Sequence, residues 1–280
     1  MNIGIVGLGL IGGSLGLDLR SRGHQVFGLS RREQTCHQAI ARGVVDDASV
    51  DPALIATAEV VFICTPLAAI IPTVEQLIPY LSTSTVITDV GSVKAPIVEA
   101  IAPMWRNFVG GHPMAGKADS GIEAAVEDLF ALKPYVLTPV ATTPEDAMTT
   151  VEGIARTLGA TVFHCRPDEH DRAVSWISHL PVMVSSSLIA ACMSEPAVLT
   201  LAQQLASSGF RDTSRVGGGN PELGVMMARY NRRELLLSLQ QYRHNLDSLI
   251  DSIEQEDWIA LEQQLKATQL ARPQFIDTLP

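Results

Sequence analysis

The sequence predicts an α/β chain in two parts. A parallel sheet wound with helices on both faces occupies residues 1–165, and an all-helical domain follows over 166–280. Three observations carry this expectation. Short apolar runs alternate with amphipathic stretches as far as Cys165, the pattern of repeated strand–helix units. From Arg166 the strand-like runs stop and apolar residues recur at helical spacing. Of 280 residues, 46% are hydrophobic and 18% charged, which is enough for one large core or two smaller ones and too apolar for a disordered chain.

Taken in order, residues 2–7 (NIGIVG) form the first strand and residues 10–23 a helix closed by Gly23. Residues 25–29 (QVFGL) are the second strand, followed by a helix that ends at Gly43. Residues 59–66 (EVVFICTP) are a third strand stopped by Pro66; the helix after it contains Pro72, expected in an early turn. STVITDVGS is a fourth strand and VKAPIVEAIAP its helix. NFVGGHP and YVLTPV give two more strands, PEDAMTTVEGIARTLG a helix, and TVFHC the last strand. Pro167, with acidic residues behind it, then opens a helix whose expected buried stripe is Ala173, Ile177, Leu180, Val184, Leu188 and Ala191. Leu235, Leu239, Tyr242, Leu246, Leu249 and Ile253 repeat at spacings of four and three, a heptad-like seam. That seam is long for a surface helix and can pack on the helix at 168–192 or on a second subunit; a homodimer through the helical domain is expected.

Composition narrows the partners. The formal charge of −10 argues against nucleic acid or an anionic membrane as a partner, and an anionic small-molecule ligand would need locally placed cations. Four separated cysteines without a CxxC read as reduced thiols of a cytoplasmic protein, with no metal site. The apolar opening MNIGIVGLGLIGGSLGL lacks a basic leader and carries six glycines, so it reads as a buried strand and turn; no other run approaches the length of a membrane span.

Gly7, Gly9 and Gly12 form G-x-G-x-x-G between a strand and a helix, the context of a dinucleotide-binding (Rossmann) turn. With Leu10 and Ile11 inside the turn, and Thr65 and Pro66 closing the third strand, they are the candidate cofactor contacts. The second strand ends at Ser30, where an acid would accept from a ribose 2′-hydroxyl and repel a 2′-phosphate. Arg31 and Arg32 follow, and guanidinium–phosphate bonds are strong and directional. The expected cofactor is therefore NADP, with Ser30, Arg31 and Arg32 at its 2′-phosphate.

Two loops at the carboxyl edge of the sheet carry polar groups: DVGSVK, with Asp89, Ser92 and Lys94, and GGHPMAG, with His112. Oxidising an alcohol requires a base to receive the hydroxyl proton as hydride leaves, and imidazole suits that task. Taken alone, His112 fits a loop histidine with a structural hydrogen bond better than a base; beside a cofactor turn it becomes the candidate base.

Together, GLGLIGGSLG, DVGSVK, GGHPMAG, SHLP and GFRDTSRVGGGNPELG resemble the prephenate/arogenate dehydrogenase family, in the family's order and over nearly the whole chain. The resemblance implies a Rossmann domain followed by a helical dimerisation domain, and oxidative decarboxylation of a cyclohexadienol on the route to tyrosine. It implies His112 as the base, Ser92 holding the hydroxyl and the histidine, and His179, Arg215 and Arg211 on the substrate side. It also implies that no metal is required, since aromatisation drives loss of CO2. NADP preference and the absence of room for a fused mutase or regulatory domain resemble the arogenate branch, with prephenate as the alternative substrate. At Lys117–Ala118 many prephenate-using relatives have an acid in the second position, which loosens the transfer of substrate recognition. A rival reading, a β-hydroxyacid dehydrogenase, would use Lys94 as its helix-borne lysine. A second rival, an NADP-sensing module, would lack the base and the carboxylate anchor.

Overall fold

The computed structural model describes residues 1–117 and 119–276. The chain divides into two compact units: Met1–Val174 with Gly219–Tyr230, and Ser175–Gly218 with Asn231–Pro280. This division does not coincide with the change of sequence pattern at 165/166. Pro167–Val174 belongs with the sheet, and so does Pro221–Tyr230, whose Met226 and Tyr230 pack against one of its two cores.

In the first unit eight strands run β1 (Asn2–Val6), β2 (Gln25–Leu29), β3 (Asp47–Ser49), β4 (Val60–Ile63), β5 (Val86–Asp89), β6 (Phe108–Pro113), β7 (Pro134–Thr138) and β8 (Thr161–His164). Their order across the sheet is β3-β2-β1-β4-β5-β6-β7-β8. β3 is absent from the sequence reading: three residues with an aspartate at the edge carry no apolar signature. Up to Val174 the helices of this unit are α1 (Leu10–Ser21), α2 (Glu33–Ala41), α3 (Leu67–Leu77), α4 (Ala95–Ile101), α5 (Glu145–Thr157) and α6 (Pro167–Val174). Pro72 lies in the second turn of α3, which continues to Leu77 before tightening into a 3₁₀ turn at Ile78–Tyr80.

Alternation along the strands builds two cores, one on each face. Ile3, Ile5, Phe62 and Leu137 pack with Leu15 and Leu19 of α1 and Val151 and Ile154 of α5. Val6, Val61, Ile63 and Ile87 pack with Ile70 and Val74 of α3 and Ile97 and Ile101 of α4. Each such side chain contributes roughly 1.5–3 kcal/mol on burial. One pairing departs from the expected parallel sheet: β6 and β7 are antiparallel, with Gly110 opposite Thr138 and Pro113 opposite Tyr135. A parallel return needs a crossover of a dozen or more residues, usually a helix. Between β6 and β7 the described residues hold only a single 3₁₀ turn at Ile122–Ala124. That return segment is fixed to α1 instead: Val126 N–H donates to Ser14 Oγ (3.0 Å) and Asp128 N–H to Asp18 Oδ1 (2.9 Å).

The second unit opens with a π turn at Ser175–His179, then α7 (Leu180–Met193), α8 (Leu199–Leu205), α9 (Ser208–Ser214) and a 3₁₀ turn at Arg215–Gly218. With Pro221–Tyr230 counted as α10, it ends with α11 (Arg232–Glu254), α12 (Trp258–Ala271) and α13 (Pro273–Ile276). The expected stripe along residues 173–191 is corrected here. Ile177, Ala173 and Ala191 are exposed, and the buried positions are Val174, Ser175, His179, Leu180 and Ser185. The π turn adds a residue to the helical repeat and rotates the face that follows it. A membrane-length helix is also present, contrary to the sequence reading: Pro167–Met193 is long and apolar enough to cross a bilayer by length and composition. Its polar residues are placed as in a protein-packed helix, with His170, Asp171, Ser175 and His179 buried.

Candidate active site

In a parallel sheet, ligands gather at the carboxyl edge where the strand order reverses. Here β1 lies between β2 and β4, so the switch point falls between the turn after β1 and the loop after β4. Gly7 has φ +102°, and a Cβ there would lie 2.6 Å from Cys64 O; a Cβ on Gly12 would lie 2.0 Å from Gly7 O. Both positions exclude a side chain. Gly9 differs, because a Cβ there would meet no protein atom within 4 Å. The space over Gly9 is open to a ligand, and the first turn of α1, with Leu10 and Ile11, faces it with backbone N–H groups free of a side-chain cap. Across the switch point the Thr65 hydroxyl is buried with no hydrogen-bond partner, beside exposed Pro66. An open glycine and an orphaned hydroxyl on one edge fit a dinucleotide.

Gly7 N–H donates to Leu29 O (2.9 Å), which ties the turn to the end of β2. Ser30 follows, half-buried, and its Oγ accepts from Arg32 N–H at 3.3 Å. Arg31 and Arg32 are exposed, and neither guanidinium forms an ion pair or hydrogen bond among the described residues. Two uncommitted cations beside a hydroxyl, in a chain of net charge −10, suit a phosphate ester.

The second constellation lies at the ends of β5 and β6. β6 leaves the parallel ladder after Val109, and the Asp89–Lys94 pair takes over the backbone groups left facing β5. Gly111 N–H donates to Asp89 Oδ1 (3.2 Å), and Lys94 Nζ donates to Gly111 O (2.7 Å) and to Asp89 Oδ2. Both side chains are fully buried. Burial lowers the Lys94 pKa, and the Asp89 carboxylate beside it opposes that shift. This arrangement carries His112 to the carboxyl edge, 9% exposed. It also counts against the β-hydroxyacid dehydrogenase reading, because Lys94 is enclosed and engaged.

His112 belongs to a chain of buried polar groups. Its Nδ1 lies 2.8 Å from His170 Nε2, and His170 Nδ1 lies 2.8 Å from Asp171 Oδ1. Asp171 also accepts from the backbone N–H groups of Lys94 (2.6 Å) and Ala95 (2.8 Å). Nearby, the Tyr135 hydroxyl and Thr88 Oγ1 are buried without partners. Burial holds the Tyr135 phenol and the Cys64 thiol protonated, pushing both pKa values up.

The first unit thus holds the candidate cofactor residues, Ser92 and His112. Ser92 is half-buried in the loop after β5, and its hydroxyl makes no hydrogen bond among the described residues, to His112 or otherwise. His179, Arg211 and Arg215 lie in the second unit. His179 is buried, its Nδ1 3.2 Å from Asn231 Nδ2. Arg211 on α9 is exposed beside Asp212 (3.3 Å), and Arg215, one helical turn on, is exposed too. Of the Lys117–Ala118 pair, Ala118 lies outside the described residues. His170 and Asp171 are the residues that sequence reasoning missed; a His–Asp pair just inside a helix start was their one signal. Among the described residues no cluster suits a metal ion.

Comparison with known proteins bears on the family. The family model for the nucleotide-binding domain of prephenate dehydrogenase matches residues 15–164, and the model for its dimerization domain matches residues 166–267. The chain belongs to the prephenate dehydrogenase family. A solved structure of arogenate dehydrogenase from Synechocystis is 52% identical, with a TM-score of 0.90 over 99% of this chain and 100% of that one. Prephenate dehydrogenase from Aquifex aeolicus, solved with hydroxyphenyl propionate and NAD+, is 26% identical with a TM-score of 0.92 over 98% of both chains. Prephenate dehydrogenase from Bacillus subtilis is 32% identical over 90% of this chain and 70% of its own length.

Proposed function

We propose that the protein is a cytoplasmic NADP-dependent arogenate dehydrogenase. It would convert arogenate to tyrosine and CO2, with Gly7, Gly9, Leu10, Ile11, Gly12, Thr65 and Pro66 holding the cofactor. The observation that carries the reading is His112, a buried imidazole at the sheet edge that also bears the dinucleotide turn. Bound NADP supplies the hydride acceptor for the ring C4 hydrogen. His112 takes the C4 hydroxyl proton, and Ser92 assists in holding that hydroxyl. Arg215 and Arg211 attract the substrate carboxylates, and His179 orients the ring. Aromatisation drives loss of CO2, so the protein's task is orientation and removal of one proton. Arogenate is favoured by the 52% identity to the Synechocystis enzyme; prephenate is the second reading, favoured by the B. subtilis relative. Incubation with arogenate and NADP should yield tyrosine, CO2 and NADPH in equal amounts; no NADPH from either cyclohexadienol would refute the assignment.

Cofactor choice rests on Ser30, Arg31 and Arg32. Arg31→Ala and Arg32→Ala should each weaken NADP by about 1.5–3 kcal/mol, roughly 10- to 150-fold, and leave NAD nearly unchanged. Equal losses for both cofactors, read by fluorescence titration, would remove the 2′-phosphate from this site.

Assembly as a homodimer is supported by the seam on α11. Leu235 is buried, but Tyr242, Leu246 and Ile253 are 39%, 43% and 52% exposed. α12 covers a different face, where Gln264 reaches Ser248 and Ser252 (3.3 and 3.4 Å). An apolar stripe open over several turns needs a partner surface, and two-fold pairing is the commonest solution. Light scattering should give twice the 30.1 kDa chain mass. Replacing Leu239 and Leu246 together by Asp should yield monomers or aggregates, and a dimeric, active double variant would show that the seam is no contact.

A further inference from the structure

The geometry points to His170 and Asp171 as positioning residues that set the tautomer of His112. They leave its lone pair on Nε2 and share its charge once it is protonated. The inference rests on the reading of His112 as the base. Its starting point is Asp171. Two groups that can only donate, the N–H groups of Lys94 (2.6 Å) and Ala95 (2.8 Å), fix that carboxylate in place. A carboxylate oxygen accepts, so His170 Nδ1, 2.8 Å from Asp171 Oδ1, carries a hydrogen. A neutral imidazole has one N–H, and His170 Nε2 therefore presents its lone pair to His112 Nδ1 at 2.8 Å. His112 Nδ1 must be the donor. In neutral His112 the remaining nitrogen, Nε2, then carries no hydrogen.

The alternative pattern is distinct. A doubly protonated His170 would donate from Nε2, and His112 would carry its hydrogen on Nε2, where it could accept no proton. The two rings meet edge to face, 5.0 Å between centroids at 75°, as an N–H···N bond permits and stacking does not. His170 and Asp171 are 2% and 3% exposed, so water competes little for these bonds.

During turnover the substrate O–H bond breaks, its electron pair stays on oxygen, and a bond forms between the proton and His112 Nε2. The cation that results has its Nδ1–H against His170 Nε2. Transfer of that hydrogen along the 2.8 Å contact places the charge on His170, next to the Asp171 carboxylate. One proton has been taken up, and no oxidant or reductant enters the step.

The test is long-range ¹⁵N–¹H correlation NMR on the full-length protein labelled at histidine, with His112 assigned by the signals lost in His112→Asn. The wild type should show His112 with hydrogen on Nδ1 and none on Nε2. Asp171→Ala removes the acceptor at His170 Nδ1 and frees both rings to take either tautomer, so hydrogen should appear on His112 Nε2 in part of the population. Turnover should then fall roughly 10- to 100-fold with KM little changed. His170→Asn leaves Asp171 on its two backbone donors and serves as the second variant; His112 should become a mixture of tautomers, with kcat reduced roughly 10- to 100-fold. A wild type with hydrogen on His112 Nε2, or folded variants in which the tautomer does not change, would overturn the inference. His112→Asn separates the two levels. If it is inactive while the His112 tautomer is the same in the wild type and in the folded Asp171 and His170 variants, only this inference falls; if it is active, the base assignment falls and this inference with it.

Discussion

His112→Asn is expected to lower kcat by roughly 10²–10⁴-fold while KM changes little. The side chain is buried at the end of β6, bonded through Nδ1 to His170, and asparagine keeps a polar group of similar reach. What it lacks is a nitrogen lone pair basic enough to take the hydroxyl proton as hydride leaves. Uniform binding is preserved and only the transition state loses an interaction, so the effect falls on kcat. Steady-state assays of the purified variant check this, with cofactor affinity measured separately. Turnover within a few-fold of wild type would send the proton to another group.

Lys94→Ala is expected to destabilise the first unit by about 3–5 kcal/mol, a large share of the roughly 5–15 kcal/mol that holds a typical domain folded. Lys94 is fully buried, and its Nζ is bonded to Asp89 and to Gly111 O. Removing it leaves the Asp89 carboxylate enclosed without a cation, though Gly91 N–H (2.8 Å) and Gly111 N–H still donate to it. Asp89→Asn in the Lys94→Ala background should recover part of the loss, because the uncompensated charge is gone; a double-mutant cycle isolates that coupling. Urea unfolding with unchanged m-value is the readout. A loss below about 1 kcal/mol would mean that the pair behaves like a surface ion pair.

The fold was largely legible because it is written in periodicity. Strands such as Val60–Ile63 are apolar runs, and helices such as α1 and α2 end at Gly23 and Gly43, both at positive φ. What periodicity does not encode was missed. β3 is a short edge with Asp47 on it. The antiparallel β6–β7 pairing depends on a connection without a crossover helix. The face buried by residues 174–185 depends on the π turn, which no spacing rule anticipates.

The site was legible where a residue's role is local. Gly7, Gly9 and Gly12 act through their own backbone, and Arg31 and Arg32 through exposed charge. His170 and Asp171 were hidden by context. In a helix start rich in acids, Asp168 and Glu169 pair with Arg166 at the surface, which is the ordinary purpose of such acids. Asp171 sits three residues beyond Asp168 and is buried instead, on partners 76 and 77 residues away. Long-range pairing of that kind leaves no mark in a single sequence. The place of Lys94 is hidden for the same reason: an isolated lysine after a glycine loop looks available for chemistry until Asp89 and Gly111 are folded around it.

The measurement that tests the account most directly is a steady-state comparison of arogenate and prephenate, each with NADP and with NAD, on one preparation of the enzyme. The account predicts the highest kcat/KM for arogenate with NADP, release of one CO2 per NADPH formed, and a drop for NAD that disappears in Arg31→Ala because the NADP advantage is lost. A preparation that binds NADP yet reduces none of it with either cyclohexadienol would contradict the account.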